Sequence, residues 1–260
     1  MQYVPAEIVS NTELAPKHWL LELQLPAPLP PITAGQFLSL RCDPADRHSL
    51  LRPFSILGSD EVRGRLSVYY KHLGRLSERL SEMPAGTRLD CLYPLGRGFE
   101  WQPGWRRVAL VGGGVGLAPL LYWAQQLRAR DAGVEPVCFF GGGTEADLVP
   151  ALLARYDLPM ELATMDGGRG HHGTVVELYS GRSAGYDALY SCGPNPMMAA
   201  LQRVVPDSMP AFASLEEYMA CGVGACYGCT ARIMADGAEH NLRVCREGPV
   251  FDLHSVVFAP

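Results

Sequence analysis

Four cysteines near the C-terminal end limit what this chain can fold into more than any other feature. Cys221, Cys226, Cys229 and Cys245 lie in EEYMACGVGACYGCTARIMADGAEHNLRVCREGPVF with the spacing C-x4-C-x2-C-x15-C. C-x4-C-x2-C with a distant fourth cysteine is a plant-type [2Fe–2S] spacing. Four thiolates can ligate the two irons of such a cluster. Gly222, Gly224, Ala225 and Gly228 are small enough for the loop to wrap closely and aim amide hydrogens at sulfur. Structural zinc is the competing reading, because four cysteines also suit zinc. A zinc knuckle more often repeats C-x2-C, and here the first gap is four. Unliganded thiols are a third reading. The stretch 213–260 has too few apolar residues for a core of its own, so a cluster or metal is expected to organise it.

The other cysteines, Cys42, Cys91, Cys138 and Cys192, are scattered along the chain. A reducing cytoplasm argues against pairing all eight as disulfides. The opening MQYVPAEIVSNTE has no basic stretch followed by an apolar run, so no secretory signal is expected. No segment approaches the roughly 18 uncharged apolar residues of a membrane span. A cytoplasmic protein is the expectation. The formal net charge of -5 gives no electrostatic reason to expect nucleic acid or an anionic membrane as partner.

The 260 residues divide into three patterns. Residues 1–102 hold short apolar runs broken by turns, among them HWLLELQL, GQFLSLRC, RLSVYYK and TRLDCLYPLG. They predict a small antiparallel β-barrel with one short helix over HLGRLSERLSEM. Residues 103–212 alternate strands and helices, which predicts a mostly parallel α/β sheet. Residues 213–260 form the small cysteine-bearing unit.

Two sets of residues point to nucleotides. In ALVGGGVGLAPL, Gly112, Gly113, Gly114 and Gly116 lie between a strand and a helix. Glycines there permit a tight turn and let a pyrophosphate approach a helix N-terminus. SCGPNPMM puts Cys192, Gly193 and Pro194 at the end of a predicted parallel strand, where open α/β sheets bind ligands. Cys192 is a candidate to face a nicotinamide; the alternative is a buried cysteine before a turn. In FFGGGTEADL, Glu145 or Asp147 is a candidate for an adenosine ribose, or else an acid answering a helix dipole. The loop 144–147 carries no Arg or Lys, so NAD(H) is expected over NADP(H). The second set is LRPFSI. Arg52 offers a fork of donors for a phosphate, Ser55 a hydroxyl for a ring heteroatom, and Phe54 a flank for an isoalloxazine. VYYKHLG adds Tyr70 and Lys71, and YPLGRGF another close glycine.

Together RPFSI, GGGVGLAPL, SCGPNP, SLEEYMACGVGACYGC and VCREGPVF carry a resemblance across essentially the whole chain. The chain resembles the electron-transfer subunits of NAD-dependent dihydroorotate dehydrogenase, iron–sulfur flavoproteins of the ferredoxin-reductase superfamily. The resemblance implies an FAD-binding barrel, an NAD-binding α/β domain and a [2Fe–2S] domain. It implies FAD contacts by Arg52, Pro53, Phe54 and Ser55, and by Tyr69, Tyr70 and Lys71. Leu76 and Ser77 match a Gly–Thr pair that contacts the FAD phosphates, and HLGRLS departs there from the usual G-x-G-T. It matches the four clustered cysteines to the cluster ligands. A relay from FMN through [2Fe–2S] and FAD to NAD⁺ is implied, serving pyrimidine (UMP) biosynthesis. An FMN-containing catalytic subunit, in an assembly of two of each, would oxidise dihydroorotate to orotate. No base for dihydroorotate is then expected here. The same modules also resemble NAD(P)H-dependent reductase subunits coupled to ferredoxin, sulfur compounds or hydrogenase.

Overall fold

The computed structural model describes residues 1–43 and 49–259. The N-terminal part is a closed antiparallel barrel of β1 (Gln2–Ala15), β2 (His18–Gln24), β3 (Phe37–Leu40), β4 (Arg52–Asp60), β5 (Arg65–Lys71) and β6 (Arg88–Leu95), joined in the order β1-β2-β5-β4-β3-β6. Its cause is visible in β2, where Leu21 and Leu23 are fully buried and Glu22 between them faces solvent. That period of two gives a sheet one apolar face, and closure removes the free edges. The short helix α1 (Arg75–Ser81) follows β5, as the pattern of HLGRLSERLSEM predicts.

The central sheet is built from β7 (Arg107–Gly113), α2 (Leu117–Arg130), β8 (Glu135–Gly142), α3 (Pro150–Leu153), β9 (Met160–Thr164), β10 (His171–His172), α4 (Val175–Ser180), β11 (Ala188–Cys192), α5 (Asn195–Val204) and β12 (Ala211–Ser214). Strands β10-β9-β8-β7-β11-β12 are parallel. Val108, Ala109, Leu110 and Val111 of β7 are wholly buried, as a strand covered on both faces must be. Helix α2 is apolar on most of its surface because it is held between this sheet and β4 of the barrel. The chain runs to β8 on one side of β7 and to β11 on the other. The ends of β7 and β11 therefore form the topological switch point, where such sheets take ligands.

The remaining elements are the hairpin β13 (Thr230–Ala235) and β14 (Ala238–Arg243), then β15 (Val250–Asp252). β15 leaves the hairpin and pairs antiparallel with β12, Ser214 opposite Val250. A shared core joins all three parts: Phe37 and Leu95 of the barrel, Leu189 of the sheet, and Ile233 and Val244 of the cysteine-bearing unit. The unit too poor in apolar residues for its own core thus borrows one.

The glycines after β7 divide by what a side chain would meet. A Cβ on Gly112 would press on Leu120 at 3.0 Å, and one on Gly113 on Met197 Sδ at 2.9 Å and Pro194 Cδ at 3.2 Å. A Cβ on Gly116 would collide with the Cys192 carbonyl. Gly114, at φ 58°, alone of the four faces open space. Packing therefore requires three of these glycines, and turn conformation requires the fourth. Gly116→Ala is expected to destabilise by about 1–3 kcal/mol through overpacking. Gly114→Ala is expected to cost about 1–2 kcal/mol through the left-handed backbone alone. Urea unfolding checks both, and a Gly116→Ala midpoint equal to wild type would refute the packing account.

Candidate functional site

A cleft of about 540 Å³ opens between the barrel and the central sheet. Pro53, Phe54 and Ser55 of β4 and Tyr69, Tyr70 and Lys71 of β5 form one wall. Val115 and Asn195, from the loops at the switch point, and the segment Leu215–Met219 form the other. An adjoining cavity of about 560 Å³ is lined by Arg52, Lys71, the turn Gly74–Ser77 and again Glu217–Met219. Arg52–Ser55, Tyr69–Lys71, Leu76 and Ser77 each line one of these two lobes, whereas the glycines of YPLGRGF line neither. The first lobe is flat and aromatic: Phe54 meets Tyr70 edge to face at 5.9 Å, and the Tyr70 hydroxyl donates to Asn11 Oδ1 at 3.0 Å. The second is cationic. Among the described residues, neither Arg52 nor Arg75 has a carboxylate at ion-pair distance.

Lys71 is committed. Its Nζ donates to Asp147 Oδ1 at 2.9 Å, tying the barrel to the central sheet. The Lys71 hydrogen bond, with the Thr144 amide, holds the Asp147 carboxyl below its ordinary value. Behind it, buried His18 contacts the Tyr69 hydroxyl through Nδ1 at 2.5 Å. Burial, then the Lys71 charge, lowers the His18 pKa, so the ring is neutral at pH 7.

Several expectations shift here. Asp147 is already engaged at both oxygens, Oδ1 by Lys71 and Oδ2 by Thr144, and its side chain keeps partial exposure. Glu145 pairs with Arg169 at 3.0 Å, so folding does bring an arginine to the loop that has none in sequence. The Ser77 hydroxyl accepts from the Leu73 and Gly74 amides at 3.0 and 3.1 Å and donates to the Gly74 carbonyl. It is spent on the turn that starts α1. Leu76, where the resembled pattern has glycine, packs on the barrel core. Cys192 is fully buried and does not line the cleft; its thiol touches Glu216 Oε1 at 3.9 Å, and Glu216 lines the cleft. Burial raises the Cys192 thiol and the carboxyls of both Glu216 and Glu217. Glu216 is open to the cleft itself, although protein crowds it on its other sides.

Val115, Asn195 and Leu215–Met219 were not legible as cleft residues. The signal was present in SLEEYMAC, which reads most readily as the approach to the cysteines. On sequence grounds Tyr218 and Met219, with Val223 and Tyr227, read either as a partner-contact patch or as packing around the cluster. The structure divides them. Tyr218, 92% exposed, and buried Met219 line both lobes, Val223 packs inward, and Tyr227 lies under Arg243.

Two residues beyond Met219 comes Cys221. The four thiols stand close enough to influence one another, Cys226 acting on Cys221, and Cys229 and Cys221 on Cys245. Among the described residues, no three His, Cys, Asp or Glu side chains are grouped to hold a single metal ion. Four thiolates gathered in one unit suit a two-iron centre with two sulfur ligands per iron. Gly222 and Gly224, both at positive φ, turn the loop so that the Ala225 amide donates to Cys221 Sγ at 3.3 Å. Partial desolvation raises the Cys221 thiol. The Val223, Cys226 and Ala225 amides and the Cys226 side chain outweigh it and bring the pKa down to about 6. Cys229 Sγ accepts from the Cys245 amide at 3.5 Å. The donor set fits a thiolate-bound centre, with amides already aimed at sulfur.

Sequence models of two families match. That of the iron–sulfur cluster binding domain of dihydroorotate dehydrogenase B covers residues 216–257, and that of the oxidoreductase FAD-binding domain covers residues 5–101. The electron transfer subunit of dihydroorotate dehydrogenase B (NAD(+)) from Shouchella clausii is 36% identical over 258 residues, 96% of each chain. The chain belongs to this family of electron transfer subunits. The subunit of the same name from Streptococcus pneumoniae strain R6 is 35% identical over 96% of this chain and 97% of its own. As a dihydroorotate dehydrogenase B electron transfer subunit, the chain is a flavin-dependent redox protein with an iron–sulfur domain. Two solved structures share the fold. The NADH-dependent reduced ferredoxin–NADP oxidoreductase superposes with TM-score 0.83 at 24% identity, covering 97% of this chain and 89% of that one. Phthalate dioxygenase reductase gives 0.65 at 20% identity over 94% and 77%.

The Lys71–Asp147 pair makes a pH prediction. A carboxyl depressed in the folded state adds stability above its ordinary value of 3.8, and the gain is lost as pH falls through the lower folded value. Asp147→Asn is expected to melt below wild type at pH 7, with the gap closing in acid below pH 3.8. Melting curves across pH test this; a gap that persists in acid would assign the loss to packing.

Proposed function

We propose that this chain passes electrons from an FMN-containing dihydroorotate dehydrogenase subunit to NAD⁺, through a [2Fe–2S] cluster and FAD, in UMP synthesis. One observation carries the reading. The segment Leu215–Met219 walls the flavin-type cleft, and the first cluster thiol, Cys221, follows it directly. Nicotinamide exchanges electrons in pairs and the cluster one at a time; FAD, when bound between them, supplies both modes.

The chain's own residues orient and screen. Arg52 gives the phosphate lobe a guanidinium with no carboxylate partner among the described residues, suited to a diphosphate. Pro53, Phe54, Tyr69 and Tyr70 exclude water from the planar lobe, and Ser55 offers it a hydroxyl. Lys71 acts by holding Asp147 rather than as an open cation. Gly113 and Gly116 serve the nucleotide site by closing the turn on Cys192, Gly193 and Pro194, and Gly112 by letting Leu120 of α2 pack against β7. Gly114 is left as the glycine a pyrophosphate can approach. Cys221, Cys226, Cys229 and Cys245 are the cluster ligands in this reading. The division of labour follows residues 1–102 for FAD, 103–212 for NAD and 213–260 for the cluster.

Among the described residues no helix is long and apolar enough to cross a membrane. A cytoplasmic assembly of two of each subunit accords with the reading. No side chain is assigned to take a proton from dihydroorotate, so the isolated chain is expected to reduce dyes with NADH and leave dihydroorotate untouched. Adding the FMN subunit is expected to create dihydroorotate-dependent NAD⁺ reduction. Co-purification of a ferredoxin or hydrogenase subunit with no such activity would overturn the reading. Arg52→Ala is expected to lose FAD while keeping iron, and Cys226→Ser to lose the cluster spectrum while keeping flavin. Flavin extraction and iron analysis on the same samples check both.

A further inference from the structure

The cysteine-bearing loop is organised by a charged side chain that contributes no ligand. Arg243 Nη1 donates to the Gly224 carbonyl at 2.7 Å, and its guanidinium lies 4.5 Å over the Tyr227 ring. Its Nε donates to Glu247 Oε2 at 2.9 Å, Nη2 bonds Glu247 Oε1, and its own amide donates to Glu247 Oε2 at 2.8 Å. Gly224 lies between the first and second cysteines, Tyr227 between the second and third, and Cys245 two residues beyond Arg243. One planar group therefore touches every stretch that carries a thiol. Its side chain is 16% exposed, so the unit it braces covers it in part. Tyr227 sits at φ 57°, a conformation that disfavours a bulky residue, and stacking on Arg243 holds it there. An ammonium cannot reproduce this set, since fork and stacking both need the flat guanidinium.

We propose that Arg243 is the positioning residue of the cluster site. It fixes the loop carrying Cys221, Cys226 and Cys229 relative to the stretch carrying Cys245 and, balanced by Glu247, sets the reduction potential of the centre they hold. The inference rests on the cluster reading given above. Net charge and hydrogen bonding around the sulfurs tune such potentials. A nearby cation favours the reduced, more negative centre, and Glu247 opposes it.

The test is a redox titration of the purified protein followed by EPR, with chelator-driven iron loss measured on the same samples. Glu247→Gln leaves Arg243 uncompensated, so the potential is expected to rise with iron content unchanged. Arg243→Gln is expected to lower the potential and speed iron loss about 10–100-fold, the range for lost outer-shell support. Arg243→Lys keeps the charge, so it is expected to stay near the wild-type potential yet lose iron faster. A purely structural residue would change iron loss without shifts of opposite sign in the two Gln variants. Shifts of the same sign, or unmoved potentials at full cluster content, overturn the proposal. If Arg243→Gln does not accumulate, Glu247→Gln and Arg243→Lys decide it alone. Wild-type protein with no reducible centre would overturn the functional reading and this proposal together. A normal signal with unmoved potentials overturns only the role of Arg243.

Discussion

Three residues of β15 hold the redox unit in place. Pairing of Ser214 with Val250, reinforced by the Leu215 amide donating to the Pro249 carbonyl at 2.9 Å, closes residues 215–249 into one excursion from the edge of the central sheet. Closing a loop of that length costs entropy that grows only slowly with its size. The shared core of Phe37, Leu95, Ile233 and Val244 supplies the offsetting burial. Both feet of the excursion, Leu215 and Pro249, lie in the wall of the flavin-type cleft. The constraint that lets a small cysteine-rich unit fold thus also fixes where it stands. It cannot drift from the cleft without opening the sheet edge.

The opposite wall is fixed by polar contacts between barrel and sheet. Gln126 of α2 donates to the Ile32 carbonyl at 2.7 Å and accepts from the Ala34 amide at 2.9 Å. Tyr122 of the same helix shares a hydrogen bond with Ser59 at 2.5 Å. Lys71 and Asp147 close the barrel–sheet seam beside the cleft. These groups are partly buried, so breaking one leaves a polar partner to be rehydrated in a confined place. The cleft is accordingly the space left between two bodies locked at several points, which suits a site that must present one ring to two electron partners.

What the sequence made legible was whatever is local. Alternation in HWLLELQ marked a barrel strand, strands alternating with helices marked a mostly parallel sheet, and the cysteine spacing marked the centre. The features that stayed hidden depend on residues far apart in the chain. Lys71 and Asp147 are 76 residues apart, and Glu145 and Arg169 are 24 apart. No periodicity announces such pairs, and so an acidic loop looked empty of cations when folding supplies one. β15 was also hidden, since VFD is too short to alternate and becomes a strand only where β12 offers an edge. The glycine-rich turn shows a subtler limit. Its composition reads as space for a phosphate, but three of the four glycines answer neighbouring protein atoms, and only coordinates distinguish the two.

Charge is sorted between the two lobes in a way that follows from these contacts. The phosphate lobe holds Arg52 and Arg75, and among the described residues neither has a carboxylate at ion-pair distance. The ring lobe holds no such open cation. Lys71 is matched by Asp147, and His18 is kept neutral by burial behind Tyr69. The acids on the far wall, Glu216 and Glu217, have their carboxyls raised by burial. The second lobe is therefore the more cationic of the two, and in the first Lys71 is matched by Asp147. Balance matters where electrons pass, because an unscreened charge in a low-dielectric wall would favour one redox state strongly. At the far end of Leu215–Met219 the same logic recurs, with the Arg243 guanidinium set against Glu247 beside the thiols. Both stations thus pair a fixed cation with a fixed anion, leaving the groups that carry electrons to respond to small differences between them.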